Sequence, residues 1–236
     1  YILPHIIDYA CGAGHFLTEA IEEINSHFNT IKINTLSGQQ QRFFNGTKDN
    51  YLWAKDYIYG IEKDHRLAKT TKIAMFLNGD GDAFVLSGDG LDDFYYSTKY
   101  NQKLKSVKPA QSIASFDIVV SNPPFSVDGF FNNLKNGSSN FTSYKYITQK
   151  STEIECFFIE RAIQLLKENG VAGLVLPLSI LSNNRSVYSN SRKMLLLYTE
   201  LVGIVELREK AFMATGTAAC IVFFRKRSIA ELENAS

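Results

Sequence analysis

The chain has 236 residues, 45% of them hydrophobic and 13% aromatic, which favours one globular core over a disordered chain. Its 25 Lys and Arg offset 24 Asp and Glu to a net charge of +1, which excludes a polybasic, histone-like protein but allows a local basic groove. Cys11, Cys156 and Cys220 are odd in number and lack CxxC spacing, so they read as thiols of a reducing, cytoplasmic compartment. The longest apolar stretch, residues 171–181, is broken by Pro177 and is too short to span a bilayer. The chain shows no signal peptide and starts at Tyr1 without Met, so it reads as an excised fragment of a longer protein.

Residues 5–8 predict a strand ending in Asp8. After a glycine-bearing turn, Phe16, Leu17, Ala20, Ile21, Ile24 and Phe28 recur at helical spacing. Residues 25–56 are polar, with Gln39, Gln40, Gln41 and Asn45-Gly46, and read as a long loop that lengthens the first crossover. A second strand is predicted over 57–61. Asp64 then caps a helix that runs to about Asn78 and closes at Gly79. Strands rich in Val, Ile, Leu and Phe follow at 83–86, 116–120 and 171–176. Residues 128–151, dense in Asn, Ser, Lys and Tyr, read as a second long loop, mobile without DNA and closing over the substrate strand when it is present. Residues 155–167 place Phe158, Ala162, Leu165 and Leu166 on one helical face and end at Asn169-Gly170. The last strands fall at 201–207 and 218–224. This alternation implies a parallel sheet with both faces covered. Only about ten residues, including Thr215-Gly216-Thr217, join the last two strands. A parallel crossover needs a dozen or more, so the final strand is expected to run antiparallel.

Chemistry concentrates at strand ends. Asp8, Tyr9, Ala10, Cys11, Gly12, Ala13, Gly14, His15 and Phe16 form the first strand-to-helix turn, where two glycines admit a tight bend and a close ligand. A third glycine is missing because position 17 is Leu, so a diphosphate gains less here than a ligand with an uncharged linker. Glu62, ending the second strand, can accept from both ribose hydroxyls, although alone it also fits a solvated acid at a helix start. Asp89, before Gly90, can accept from the exocyclic amine of adenine, and Asp-Gly is equally a common turn. Ser121 is followed by Asn122, Pro123, Pro124 and Phe125. Two prolines remove donors and fix the backbone, so the Asn122 amide oxygen and the Pro123 carbonyl can both accept from one planar NH2 group. That pairing draws the nitrogen toward a tetrahedral shape and frees its lone pair, while Phe125 offers a stacking face. Lys99, Lys103, Lys105 and Lys108, with Tyr95, Tyr96 and Tyr100, read as a solvated loop with a secondary option of phosphate contact. His15 and His65 have no partners at metal-ligand spacing, so no metal is expected.

Together these motifs resemble the adenine-specific N6 DNA methyltransferases of restriction-modification systems, namely type I modification subunits and the methyltransferase parts of fused type II enzymes. The resemblance spans almost the whole chain. It implies a class I S-adenosylmethionine-dependent methyltransferase fold, α/β, with seven strands and the last one antiparallel. It also implies a cofactor site of Asp8, Ala10, Cys11, Gly12, Gly14, His15, Phe16, Glu62, Asp89, Gly90 and Asn122. The catalytic tetrapeptide would be Asn122, Pro123, Pro124 and Phe125, with Phe212 as a second aromatic stacking on a flipped adenine. The implied partners are DNA and a specificity subunit or fused recognition domain. The family's helical segment ahead of the first strand has no counterpart here, and no recognition domain follows Lys226, so residues 1–236 are expected to be a catalytic domain that reads no DNA sequence alone. The alternatives are amino methylation of a protein glutamine or an RNA base, or a fragment that binds cofactor and partners without catalysis. Protein glutamine enzymes usually carry Tyr at the position of Phe125. A nicotinamide dehydrogenase fits least, because this chain lacks the third glycine and dehydrogenase sheets lack a reversed last strand.

Overall fold

The computed structural model describes residues 3–47, 51–77, 83–100, 104, 113–208 and 217–234. They divide into two compact units, Tyr1–Asp89 and Gly90–Ser236.

In the first unit β1 (Ile6–Asp8) leads into α1 (His15–Thr30), and α2 (Gly38–Thr47) and α3 (Ala54–Tyr57) precede β2 (Ile58–Glu62). Next come α4 (His65–Leu77) and β3 (Phe84–Ser87). The strands lie in the order β3-β2-β1 and pair in parallel, Ile6 opposite Ile58 and Tyr59 opposite Phe84. Every residue of β1 is buried, as is all of β2 except half-buried Glu62, which is the burial expected of parallel strands covered on both faces. Leu17, Ile21 and Phe28 form the buried stripe of α1. Gly60 lets α1 come close, since a Cβ there would lie 2.7 Å from Leu17 and 3.1 Å from the Cys11 sulfur. Asp64 caps α4 as expected, its Oδ1 accepting from the N–H groups of Arg66 and Leu67 at 2.8 and 2.9 Å. Gly79 lies outside the described residues.

The expectation of a loop over 25–56 is corrected. The end of α1, α2 and α3 account for much of the stretch, and Phe44 and Trp53 pack edge-on against Phe28 with ring centroids 5.6 and 6.0 Å away. One buried aromatic per segment is enough to dock an otherwise polar helix, and polarity on the outer face hid the pattern.

The second unit carries β4 (Phe116–Ser121), the short helix α5 (Gly137–Asn140), α6 (Glu155–Leu165) and β5 (Leu166–Pro177). These are followed by α7 (Ser179–Ser182), α8 (Ser186–Tyr198), β6 (Thr199–Glu206), β7 (Ala219–Lys226) and α9 (Ile229–Asn234). The strand order is β4-β5-β7-β6. β4 and β5 are parallel, whereas β7 runs antiparallel to both β5 and β6, so the final strand is reversed as expected. Among the described residues, three strands in one unit and four in the other match the expected seven.

Two further expectations are corrected. Asn169-Gly170 does not end the helix. α6 stops at Leu165, and Asn169 (φ +63°) lies inside β5, where the register with β4 slips between Phe116 and Ile118. Residues 128–151 are not an open loop. They form α5 and two 3-10 turns, Phe130–Asn133 and Thr142–Tyr146. Phe130 and Phe141 bury their rings 5.4 and 5.3 Å from Phe157, and the Glu160 carboxylate accepts from the N–H groups of Thr142 and Ser143 at 2.6 and 3.0 Å. Both anchors sit on α6, all of whose residues are buried. The guanidinium of Arg161 lies 4.3 Å from the Phe94 ring centroid and 4.8 Å from that of Phe141, and donates to the Asp92 carbonyl at 2.9 Å.

Candidate active site

The turn after β1 is tied down from three sides. Asp8, buried, accepts from the Ala10 N–H at 3.0 Å. The Cys11 N–H donates to the Ile61 carbonyl at 2.9 Å, and the Gly12 N–H donates to one oxygen of Glu62 at 2.9 Å. Thr71 of α4 donates its hydroxyl to the Gly12 carbonyl at 2.7 Å. Gly12 and Gly14 have φ of +52° and +86°, conformations that L side chains rarely adopt. Glu62 uses its other oxygen to accept from the Asp64 N–H at 2.7 Å. The Gly88 N–H donates to the Glu62 carbonyl at 2.8 Å, which brings Asp89 to the same end of the sheet, where Lys63 pairs with it at 2.8 Å. Asp8, Gly12, Glu62 and Asp89 are thereby gathered at the carboxyl ends of adjacent parallel strands, where open α/β sheets place ligands.

The chemistry of this set is that of an acceptor pocket. Each Glu62 oxygen has one hydrogen bond and room for a second, so a vicinal diol can add without displacing the turn. Three carboxylates, one of them paired with Lys63, disfavour a diphosphate and suit a nucleoside with a neutral or cationic tail. His15 and Phe16 are exposed beside the turn, and Ala10 is half-buried. Cys11 is buried, and its thiol is pushed up by that burial first and then by Asp8 and Glu62, so it packs and does not react.

In the second unit, Ser121 ends β4 fully buried and paired opposite Leu174. The chain then leaves the sheet through exposed Asn122, buried Pro123, exposed Pro124 and half-buried Phe125. Among the described residues the Asn122 side chain has no hydrogen-bond partner, so its amide is available to a substrate. Gly90 opens this unit and is buried. Phe212, Lys103, Lys105 and Lys108 lie outside the described residues, as do Thr215 and Gly216. Tyr96 and Lys99 are exposed, whereas Tyr100 is a core residue with its ring tilted against that of Phe94 at 4.4 Å, so Tyr100 is not part of an exposed basic-aromatic surface. No group of three or more His, Cys, Asp or Glu among the described residues could hold a metal ion.

Sequence reasoning missed Thr71, which looks like any polar helix residue, and the Lys63 partner of Asp89. It also missed Glu155, whose carboxylate reaches back to the Ser126 N–H at 3.1 Å. No local pattern announces such contacts, because the partners lie far away in the chain.

The model of the N-6 DNA methylase family matches residues 4–234. The chain is 28% identical over 194 residues to the type II restriction enzyme and methyltransferase RM.Eco57I of Escherichia coli, an alignment covering 72% of this chain and 19% of that protein. Among solved structures, the type I restriction enzyme EcoKI M protein superposes with a TM-score of 0.65 at 21% identity, over 96% of this chain and 40% of that one. A candidate class I S-adenosylmethionine-dependent methyltransferase from Listeria monocytogenes gives a TM-score of 0.63 at 18% identity, over 96% of this chain and 54% of the other. The chain thus has the class I methyltransferase fold and spans about a fifth of the curated relative it matches.

Proposed function

The chain belongs to the N-6 DNA methylase family, and from that membership we propose that it is the catalytic part of a restriction-modification enzyme that methylates N6 of adenine in DNA. The observation that carries the reading is the exposed Asn122 followed by Pro123, Pro124 and Phe125 at the carboxyl end of β4. The Asn122 amide oxygen and the Pro123 carbonyl accept from the adenine amino group, which localises its lone pair, and Phe125 stacks on the base. A base inside a duplex cannot reach such a loop, so the adenine is flipped out, with Phe212 as the second face of the clamp.

S-adenosylmethionine fits the acceptor set of the first unit and, when bound, supplies an electrophilic methyl group. Glu62 holds its ribose, Asp89 and Gly90 its adenine, and the turn from Asp8 to Phe16 its methionine end. The protein's contribution is orientation and acceptors for a methyl transfer that needs no protein nucleophile. Two relatives are a type II restriction enzyme and methyltransferase and a type I restriction enzyme M protein, names that support DNA as substrate; a recognition domain or specificity subunit is the partner this reading implies. No helix among the described residues is long and apolar enough to cross a membrane.

The direct test incubates the full-length protein and its assembly with unmethylated genomic DNA and labelled S-adenosylmethionine, then digests the DNA to nucleosides. Label in N6-methyldeoxyadenosine is the expected result; in parallel reactions with RNA or protein in place of DNA, label there and none in DNA would favour the alternatives. In calorimetric titration the chain is expected to bind S-adenosylmethionine and not nicotinamide dinucleotides. Glu62→Ala should weaken that binding by about 1.5–3 kcal/mol, the worth of hydrogen bonds to a charged acceptor. An unchanged affinity would remove Glu62 from the ribose.

A further inference from the structure

We propose that Glu155 is a positioning residue for the tetrapeptide, holding the far end of the loop that leaves β4. The proposal rests on the reading of residues 122–125 as the catalytic segment. Glu155 opens α6 with no exposed surface. One carboxylate oxygen accepts from the Ser126 N–H at 3.1 Å and the other from the Tyr188 hydroxyl at 2.6 Å. Ser126, the residue after Phe125, has φ of +49°, a left-handed conformation that a non-glycine residue holds only when its surroundings enforce it. The loop is therefore anchored twice. Ser121 is fixed by its sheet pairing with Leu174, and Ser126 is fixed by a charge-assisted bond to α6. Between the anchors, Pro123 and Pro124 leave little backbone freedom. The direction of the Phe125 ring and of the loop carbonyls then follows from where the second anchor sits.

Tyr188 steadies the carboxylate in turn. It is buried on α8. Burial first, and the Glu155 carboxylate second, raise the phenol above its ordinary range, so it remains a donor at any working pH. A buried carboxylate without an ion-pair partner among the described residues is a costly way to fill space, and hydrogen-bond direction is what it supplies that an apolar side chain does not.

The test compares Glu155→Met, of similar volume but unable to accept, with Glu155→Gln, whose oxygen can take the Ser126 N–H while its amide donates to Tyr188. Asn122→Ala runs alongside, in the full-length protein with unmethylated duplex DNA and S-adenosylmethionine. Glu155→Met should lower kcat about 100-fold, the scale of a misplacement near 1 Å, while the Kd for S-adenosylmethionine stays unchanged. Glu155→Gln should return kcat to within about tenfold of the parent. A space-filling role predicts the same kcat in both variants. Equal kcat in Met, Gln and parent, with Asn122→Ala inactive, overturns the positioning role and leaves the tetrapeptide reading intact. An active Asn122→Ala overturns that reading itself. If Glu155→Met does not fold, Tyr188→Phe carries the comparison. It should lose about threefold to tenfold in kcat at constant Kd, and a parent-like kcat there overturns the proposal.

Discussion

Asn122→Ala is expected to lower kcat by about 10³-fold, equivalent to about 4 kcal/mol of transition-state stabilisation. The size follows from what the side chain does in the proposed mechanism. Its amide oxygen is one of two acceptors that localise the lone pair of the target amine, and the Pro123 carbonyl cannot replace it. The fold should not notice. Asn122 is exposed and, among the described residues, makes no side-chain hydrogen bond, so its truncation leaves no cavity and no orphaned partner. Binding of S-adenosylmethionine should persist, since Glu62 and the glycine turn carry most of it. Single-turnover methylation, thermal unfolding and ligand titration on one preparation separate these quantities. Near-normal turnover on unmethylated DNA would falsify the role given to the tetrapeptide.

Gly14→Ala should destabilise the first unit by about 2–4 kcal/mol, and Gly12→Ala by only about 1 kcal/mol. Both positions have positive φ, so both substitutions force an alanine into the left-handed region. Their surroundings differ. A Cβ on Gly12 would meet nothing within 4 Å, whereas one on Gly14 would lie 2.6 Å from the Thr71 Cγ2. Thr71 cannot swing aside cheaply, because its hydroxyl donates to the Gly12 and Leu67 carbonyls at 2.7 and 2.9 Å. The gap between the two variants in urea midpoint at equal slope measures the clash alone. Equal midpoints would mean that α4 yields, and that the turn is less tightly braced than these contacts imply.

The same contacts mark where sequence reasoning stops. The strands were legible because buried strands write themselves as runs of Val, Ile, Leu and Phe. The Asp64 cap and the two-glycine turn were legible because they serve their own neighbours in the chain. Asn122 to Phe125 drew its proposed role from sequence because that chemistry needs four consecutive residues of particular kinds. The reversal of the last strand followed from the length of the connection before it. Its seat between β5 and β6 did not, since nothing local distinguishes an inserted strand from an edge strand. Residues 25–56 and 128–151 were read as loops because their composition is polar, yet Phe28 and Phe157 offered docking places that only the folded chain brings near. For α6, sequence showed one apolar face, and the fold buried every residue of the helix, Glu155, Glu160 and Arg161 included. Those three side chains reach partners 29, 18 and 69 residues away. Hydrophobic period, capping and turn chemistry act over one or two turns of chain, and the sequence by itself determined what they control. Buried polar contacts between distant segments depend on which surfaces meet after collapse, and only the tertiary structure decided those.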